Sequence, residues 1–429
     1  MATITPAKPR SRKTRTPSPD SGVVPEVGAL RRAATAWLAH PLASVYLVRV
    51  PALLLLALGS VMVWSASSVF AATRFGDANL FIKRQLVFAA VGLVALVVIQ
   101  RVPLDVFRRL GWLMYLIAGA LMCVPFVMGK SIKGNLNWID FGPMLRLQPS
   151  EIAKIVIILW GASLFTSKRK TLDDPRHLLF PFLPGALALI LLTLLQHDLG
   201  TSIIMGLVVV AMLWNVGASF KLLGTFAAAV AVGVLVMVYA APYRVQRILG
   251  FLNPEFDASG INYQPNQAQF ALASGGWWGV GLGRSRMKWG FLSEAHTDYI
   301  LAITGEELGL IGTLSVIALF AVLVYGGCRI ALRSSSFYAR IVASGITAVL
   351  GIQALVNIFM VLRLLPVLGV PLPLVSYGGS SLVMTLGAVG ILLRCAQEEP
   401  EAKKFLARRQ KSKQPRGRLS AVTGVRRRA

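Results

Sequence analysis

Residues 178–217 read LLFPFLPGALALILLTLLQHDLGTSIIMGLVVVAMLWNVG. Two apolar runs, 178–195 and 199–217, are separated only by Gln196-His197-Asp198. Each has the roughly 17–25 residues that cross a bilayer as a helix. Helices satisfy their own backbone groups, so they are the default spanning structure in lipid. The pair therefore reads as a tight helical hairpin or a broken pair of spans. The same pattern recurs at 46–70, 84–100, 109–128, 150–166, 222–241, 299–326, 340–362 and 374–394, the last interrupted by Gly378-Gly379. Ten runs make the expected fold class all-α integral membrane, with ten transmembrane helices.

Composition agrees. The 429 residues are 55% apolar and 14% charged, where a soluble chain carries about 25% charged residues. Mean hydropathy is +0.65. A soluble enzyme of one or two domains and a disordered chain are both excluded. The three cysteines, Cys123, Cys328 and Cys395, are scattered and form neither a disulfide framework nor a zinc spacing.

Net charge is +26, from 44 Lys and Arg against 18 Asp and Glu. A soluble protein this basic would suggest nucleic acid, but position decides otherwise. With ten spans both termini share one side, and 31 of the 44 basic residues fall on that side. The positive-inside rule makes it the cytoplasm, and no nucleic-acid partner is expected. The domain reading follows: a basic cytoplasmic tail over 1–43, a transmembrane domain over 44–397, and a second basic tail over 398–429. The first tail is too long and polar for a cleaved signal peptide. The tails bind anionic lipid or partner proteins, or serve topology and solvation alone. No clear internal repeat suggests a two-halved transporter.

One connection is long. Residues 242–298 join the seventh and eighth runs on the outer face, where long loops are usually functional or disordered. Its Gly, Trp and Gln content argues against disorder. Arg244, Arg247, Arg284, Arg286 and Lys288 suit phosphate at a membrane surface, with lipid head-group contact as the alternative. The glycine-rich Ser274–Gly283 segment matches neither a dinucleotide fingerprint nor a P-loop. Trp277-Trp278 is an interfacial anchor or a sugar-stacking surface.

Ionisable groups within spans are expensive and need a reason. Glu151 and Lys154 lie i,i+3 on one helix face, as a polar cavity wall, a structural ion pair, or both. Asp298 stands where the outer loop meets the eighth run. Partial desolvation there would make it a better base; an N-cap is the alternative. Glu306 lies eight residues on, 80° around an ideal helix from Asp298, and the two are expected to line one cavity. Glu307 falls on the opposite face of that wheel. His296 alone is weak evidence for a ligand.

The chain resembles the SEDS family of polytopic bacterial cell-wall proteins. The strongest element is Asn357-x5-Arg363-Leu-x-Pro366-Val-x-Gly369-Val-x3-Leu374-Val-Ser376-Tyr377-Gly378-Gly379-Ser380-Ser381. Gln148-Pro-Ser-Glu151-Ile-Ala-Lys154, Asp198-Leu-Gly-Thr201 and His296-Thr-Asp298 match in the same order, and the likeness runs from about 46 to 397. Gly283-x-Ser285-Arg286-x-Lys288-Trp289, leading to Glu294 and Gly305-Glu306-Glu307-Leu308-Gly309, looks most like the division branch. The elongation branch is the near alternative. Ser293, His197 and Tyr299 depart from the usual proline, proline and phenylalanine.

The resemblance implies a peptidoglycan glycosyltransferase acting on lipid II by one inverting displacement. Asp298 would be the base or acceptor-orienting group. Lys154, Arg244, Arg247 and Lys288 would contact pyrophosphate, Glu151 would hold Lys154, and His296, Glu306 and Ser376 would complete the substrate site. A divalent cation, Mg or Mn, stays open, since carboxylates are present without ligand spacing. A class B penicillin-binding protein and other division proteins would be partners, at the septum in the bacterial inner membrane. A lipid II flippase and a recruiting scaffold are the rival functions.

Overall fold

The computed structural model describes residues 32, 36–128, 136–142, 146–172, 174–239, 242–253 and 260–413. Residues 1–31, 33–35 and 414–429 of the basic tails lie outside the described residues. The chain is mainly helical. Its long helices are α1 (Ala43–Phe75), α2 (Leu80–Ile99), a short α3 (Leu104–Arg109), α4 (Gly111–Met128) and α5 (Pro149–Ser167). Then come a short α6 (Pro175–Leu179), α7 (Phe182–Leu195), α8 (Leu199–Val216) and α9 (Phe220–Tyr239). After α10 (Pro242–Leu252) and α11 (Tyr263–Gly275) follow α12 (Ile300–Arg333), α13 (Phe337–Val361), α14 (Gly379–Gln397) and α15 (Pro400–Lys413).

Among the described residues, nine helices are long and apolar enough to cross a membrane; a tenth apolar stretch, Phe220–Val236 in α9, is shorter. The 178–195 run is broken at its start, where α6 ends before Pro181 and α7 resumes at Phe182. Helices α5, α13 and α14 are the most buried spans, while α2 and α4 leave most of their apolar surface open. That is the division expected of a bundle in lipid, where outer helices stay apolar on every side. Within the bundle, α12 packs on α1 and α13, α14 on α2 and α1, and α13 on α5 and α8. Small residues allow the closest approaches: a side chain at Gly59 of α1 would come within 2.5 Å of Val375 Cα.

Two non-spanning regions position the site. The connection 242–298 contains α10, α11 and a 3₁₀ turn at Met287–Trp289. The segment 362–378 is not helical, so the tenth run begins later than its hydropathy implies. Gly378-Gly379 does not interrupt a helix there. It starts one, because the residues before it direct their backbone groups to tertiary partners and Leu374 has φ +64°.

Candidate functional site

Three pieces of chain converge on Asp298. The Asn357 side chain, fully buried near the end of α13, donates from Nδ2 to the Asp298 carbonyl at 2.8 Å and to the Val370 carbonyl at 2.7 Å. Ser376 Oγ accepts from Leu372 N–H at 2.8 Å and donates to the Thr297 carbonyl at 2.6 Å. Tyr377 N–H donates to the His296 carbonyl at 3.0 Å. The backbone of 296–298 is thus held on three successive carbonyls by the 357–377 region. Asp298 itself is half-buried, and a methyl group at Gly369 would lie 3.6 Å from its Oδ2. The N-cap of α12 is Tyr299, without a side-chain capping bond. The expected alternative of Asp298 as N-cap is therefore not what forms.

His296 packs its ring among Phe81, Phe70 and Tyr377, with centroids 4.8, 5.6 and 5.8 Å away. Ser376 is a buried positioning residue whose hydroxyl is committed to backbone.

Near this clamp is a shallow, open cavity whose lining includes Arg247, Asn262, Pro265, Met360, Arg363 and Pro366. Gly369, whose added methyl would lie 3.6 Å from Asp298 Oδ2, stands two residues from Val367 of this lining, which puts carboxylate and cavity in one neighbourhood. Arg247 is exposed. Arg244, one helical turn away, is buried and donates to the His197 carbonyl at 3.2 Å.

Glu306 is turned elsewhere. Its carboxylate accepts from Ser285 Oγ and, at 2.8 Å, from Arg286 N–H, and the residue is 1% exposed. Glu307 accepts from Ser65 Oγ at 2.6 Å and from Ser285 N–H at 3.2 Å, and Lys288 Nζ lies 3.6 Å from it. One expectation is corrected here: Glu306 is enclosed by the 242–298 connection rather than open with Asp298 to a shared cavity. Glu306 and Glu307 both reach Ser285. Just beyond them α12 is kinked, with Gly309 at φ +69° and ψ −166°. Around that kink Val280 N–H and Gly281 N–H donate to the carbonyls of Glu306 and Glu307 at 2.9 and 3.0 Å. Lys288, buried, also donates to the Gly283 carbonyl at 2.6 Å. The glycine-rich segment is thus a docked strap on α12, leaving Trp277 and Trp278 exposed.

Glu151 and Lys154 pair at 2.8 Å and are both buried. Lys154 Nζ also donates to Gln353 Oε1 at 3.0 Å, and Glu151 Oε2 accepts from Ser381 Oγ at 3.2 Å. The pair ties α5 to α13 and α14. Asp198 caps α8 by accepting from Thr201 N–H at 3.0 Å, and its Oδ2 accepts from Asn137 and Gln148. The family-like motifs are therefore joined side chain to side chain.

Sequence reasoning missed Gln353, Ser65 and Ser285 as partners. Asn357 and Ser381 stood within a quoted motif but carried no assigned role. A buried amide or hydroxyl in a span needs a partner, and that was the available signal. Among the described residues, no group of three or more His, Cys, Asp or Glu is placed to hold a metal ion.

A polytopic helical bundle with one carboxylate clamped beside an arginine-lined cavity is the class of protein that these observations define. The chain belongs to the FtsW/RodA/SpoVE family of cell cycle proteins, whose model matches residues 46–401. It is 38% identical over 371 residues to the probable peptidoglycan glycosyltransferase FtsW of Mycobacterium tuberculosis, covering 86% of this chain and 70% of that one. It is 39% identical over 350 residues to the stage V sporulation protein E of Bacillus subtilis, covering 80% and 94%. Among solved structures it is similar to a chain of a peptidoglycan synthase complex coordinating polymerization and crosslinking. There the TM-score is 0.66 at 28% identity, covering 85% of this chain and 99% of that chain. The rod shape determining protein RodA of Thermus thermophilus gives a TM-score of 0.61 at 25% identity, with the same coverage.

Proposed function

We propose that this protein is a peptidoglycan glycosyltransferase that polymerises lipid II during cell division. Family membership and relatives bearing that name support the reaction class; the observation that carries the mechanism is the clamp on Asp298 beside the Arg247 cavity. In the proposed step the acceptor sugar's 4-hydroxyl attacks the donor's anomeric carbon. The new C–O bond forms from the opposite face, so the α-linked donor yields a β link. The bond to the lipid pyrophosphate breaks and the electron pair leaves with it. Asp298 takes the hydroxyl proton or orients the acceptor, the base half of an inverting glycosyl transfer. Arg247, exposed at the cavity, would meet the leaving charge; Lys154 and Lys288 pair with Glu151 and Glu307.

In this reading the chain crosses the bacterial inner membrane ten times, with α9 as the seventh span and 242–298 outside. Residues 44–397 form the catalytic domain between two cytoplasmic tails. The partner is a class B penicillin-binding protein that crosslinks the new strand, as the likeness to a synthase complex supports, and the site of action is the septum. The test is lipid II polymerisation by the purified protein with that partner, comparing wild type with Asp298→Asn. Loss of a positioned base is expected to lower the rate by about 10²–10⁴. Undiminished glycan chains from the variant would end the assignment.

A further inference from the structure

The end of α13 carries an unusual residue. Arg363 N–H donates to the Met360 carbonyl at 3.1 Å and Leu364 N–H to the Phe359 carbonyl at 2.7 Å. With Leu362 as C-cap, this is the paired-bond terminus in which the residue after the cap is left-handed, a position that favours glycine. Here it is an arginine with φ +58°. Glycine would avoid the conformational penalty, so the side chain needs its own reason.

That side chain lines the cavity that also holds Arg247. Its Nη1 donates to Asn266 Oδ1 on α11 at 2.5 Å, which fixes the amide so that Asn266 Nδ2 is the remaining donor. Arg363 Nη2 and Asn266 Nδ2 are both buried without an acceptor, and Asn266 is 7% exposed. Buried donors in proteins are nearly always paired. Two such donors, one cationic, beside a cavity with a second guanidinium, define a receptor for an anion with several acceptor oxygens. Phosphoryl groups meet guanidinium forks in that way.

We infer that Arg363, oriented by Asn266, is a specificity-determining residue that binds a phosphoryl group of a lipid-linked diphosphate in the Arg247 cavity. The inference rests on the proposed lipid II reaction for its biological substrate, but the binding itself can be measured without that reaction. Arg363→Gly is the informative variant, because glycine suits the backbone and the helix terminus is retained.

Full-length protein in zwitterionic nanodiscs is titrated with undecaprenyl pyrophosphate, and separately with phosphatidylglycerol as competitor. Arg363→Gly is expected to weaken undecaprenyl pyrophosphate binding about tenfold or more, the scale of one charge-assisted hydrogen bond. Its melting temperature should be equal or higher, and Arg363→Lys should recover part of the binding. In polymerisation with the partner, KM for lipid II should rise by a similar factor with a smaller change in kcat. Unchanged binding by a folded Arg363→Gly protein overturns the inference. Equal competition by phosphatidylglycerol overturns it too, since the pocket would then be a general head-group site. Wild type that binds undecaprenyl pyrophosphate through Arg363 but makes no polymer would refute the proposed reaction while leaving this site standing.

Discussion

Asn357 reaches out of α13 to hold the carbonyl of Asp298 at 2.8 Å and that of Val370 at 2.7 Å, so one amide spans the two chain segments that shape the site. Asn357→Ala leaves two carbonyls short of a donor in a buried place. The expected loss is about 1–3 kcal/mol of stability for each group left unsatisfied. Because Asp298 would drift, kcat for lipid II should fall by about 10² while KM changes less, as small misplacements near a reacting centre do. Thermal unfolding and initial polymerisation rates check both. An Asn357→Ala enzyme with unaltered kcat would remove the positioning role.

The Glu151–Lys154 pair can be parted from any substrate role by a double variant. Both groups are buried, and Gln353 and Ser381 complete their bonding. Lys154→Met strands the carboxylate and should cost about 3–5 kcal/mol, whereas Glu151→Leu with Lys154→Met replaces the pair by apolar groups and should restore folding. If the pair only locks α5 to α13 and α14, the double variant regains polymerisation. A folded but inactive double variant would assign the pair to the substrate.

Burial of a carboxylate beyond the spans supplies a pH test. Glu399 follows α14, and its burial pushes the carboxyl up from its ordinary value, while hydrogen bonding from Ser44 and the nearby Arg333 and Arg329 oppose this. A raised value means that the folded state holds the proton more tightly than the unfolded one. The stability from this group is therefore present at acid pH and lost as pH rises through the raised value. Glu399→Gln should flatten that limb of the stability–pH curve in detergent-solubilised protein, with the largest gain relative to wild type on the alkaline side. An unchanged slope would show that the Arg333 ion pair, at 3.3 Å, offsets the burial.

Much of this architecture could be read from hydropathy, because apolar length is a direct requirement of the bilayer. Runs such as 199–217 became helices almost residue for residue, since nothing within them competes for backbone groups. The 374–394 run did not, because hydropathy cannot see that Ser376 and Tyr377 give their polar groups to 296–297. Asp298 stood out in the sequence as a carboxylate at a span edge. Its clamp did not, since Asn357 is 59 residues away and only folding brings it close. Glu306 was misread for a related reason: the helical-wheel arithmetic started at Asp298, which precedes α12, and could not see Ser285 and Arg286 covering the carboxylate.

The kink of α12 at Gly309 makes the docked strap testable by a pair of alanine substitutions. Gly279 and Gly283 both have positive φ, +81° and +76°. A side chain at Gly279 would come within 2.2 Å of the Glu307 carbonyl, while one at Gly283 meets nothing within 4 Å. Gly283→Ala should therefore carry only the backbone penalty of about 1 kcal/mol. Gly279→Ala must push the strap off α12, because the obstructing atom is backbone and cannot rotate away. The bonds from Val280 and Gly281 to the Glu306 and Glu307 carbonyls would then open, exposing 276–288 to protease while the helical bundle stays intact. Arg286 and Lys288 would lose their seats on the two carboxylates, and lipid II polymerisation should fall with them. Equal protease resistance in the two variants would show that the strap is held by its side chains, Ser285 and Lys288, and not by the close backbone packing at Gly279.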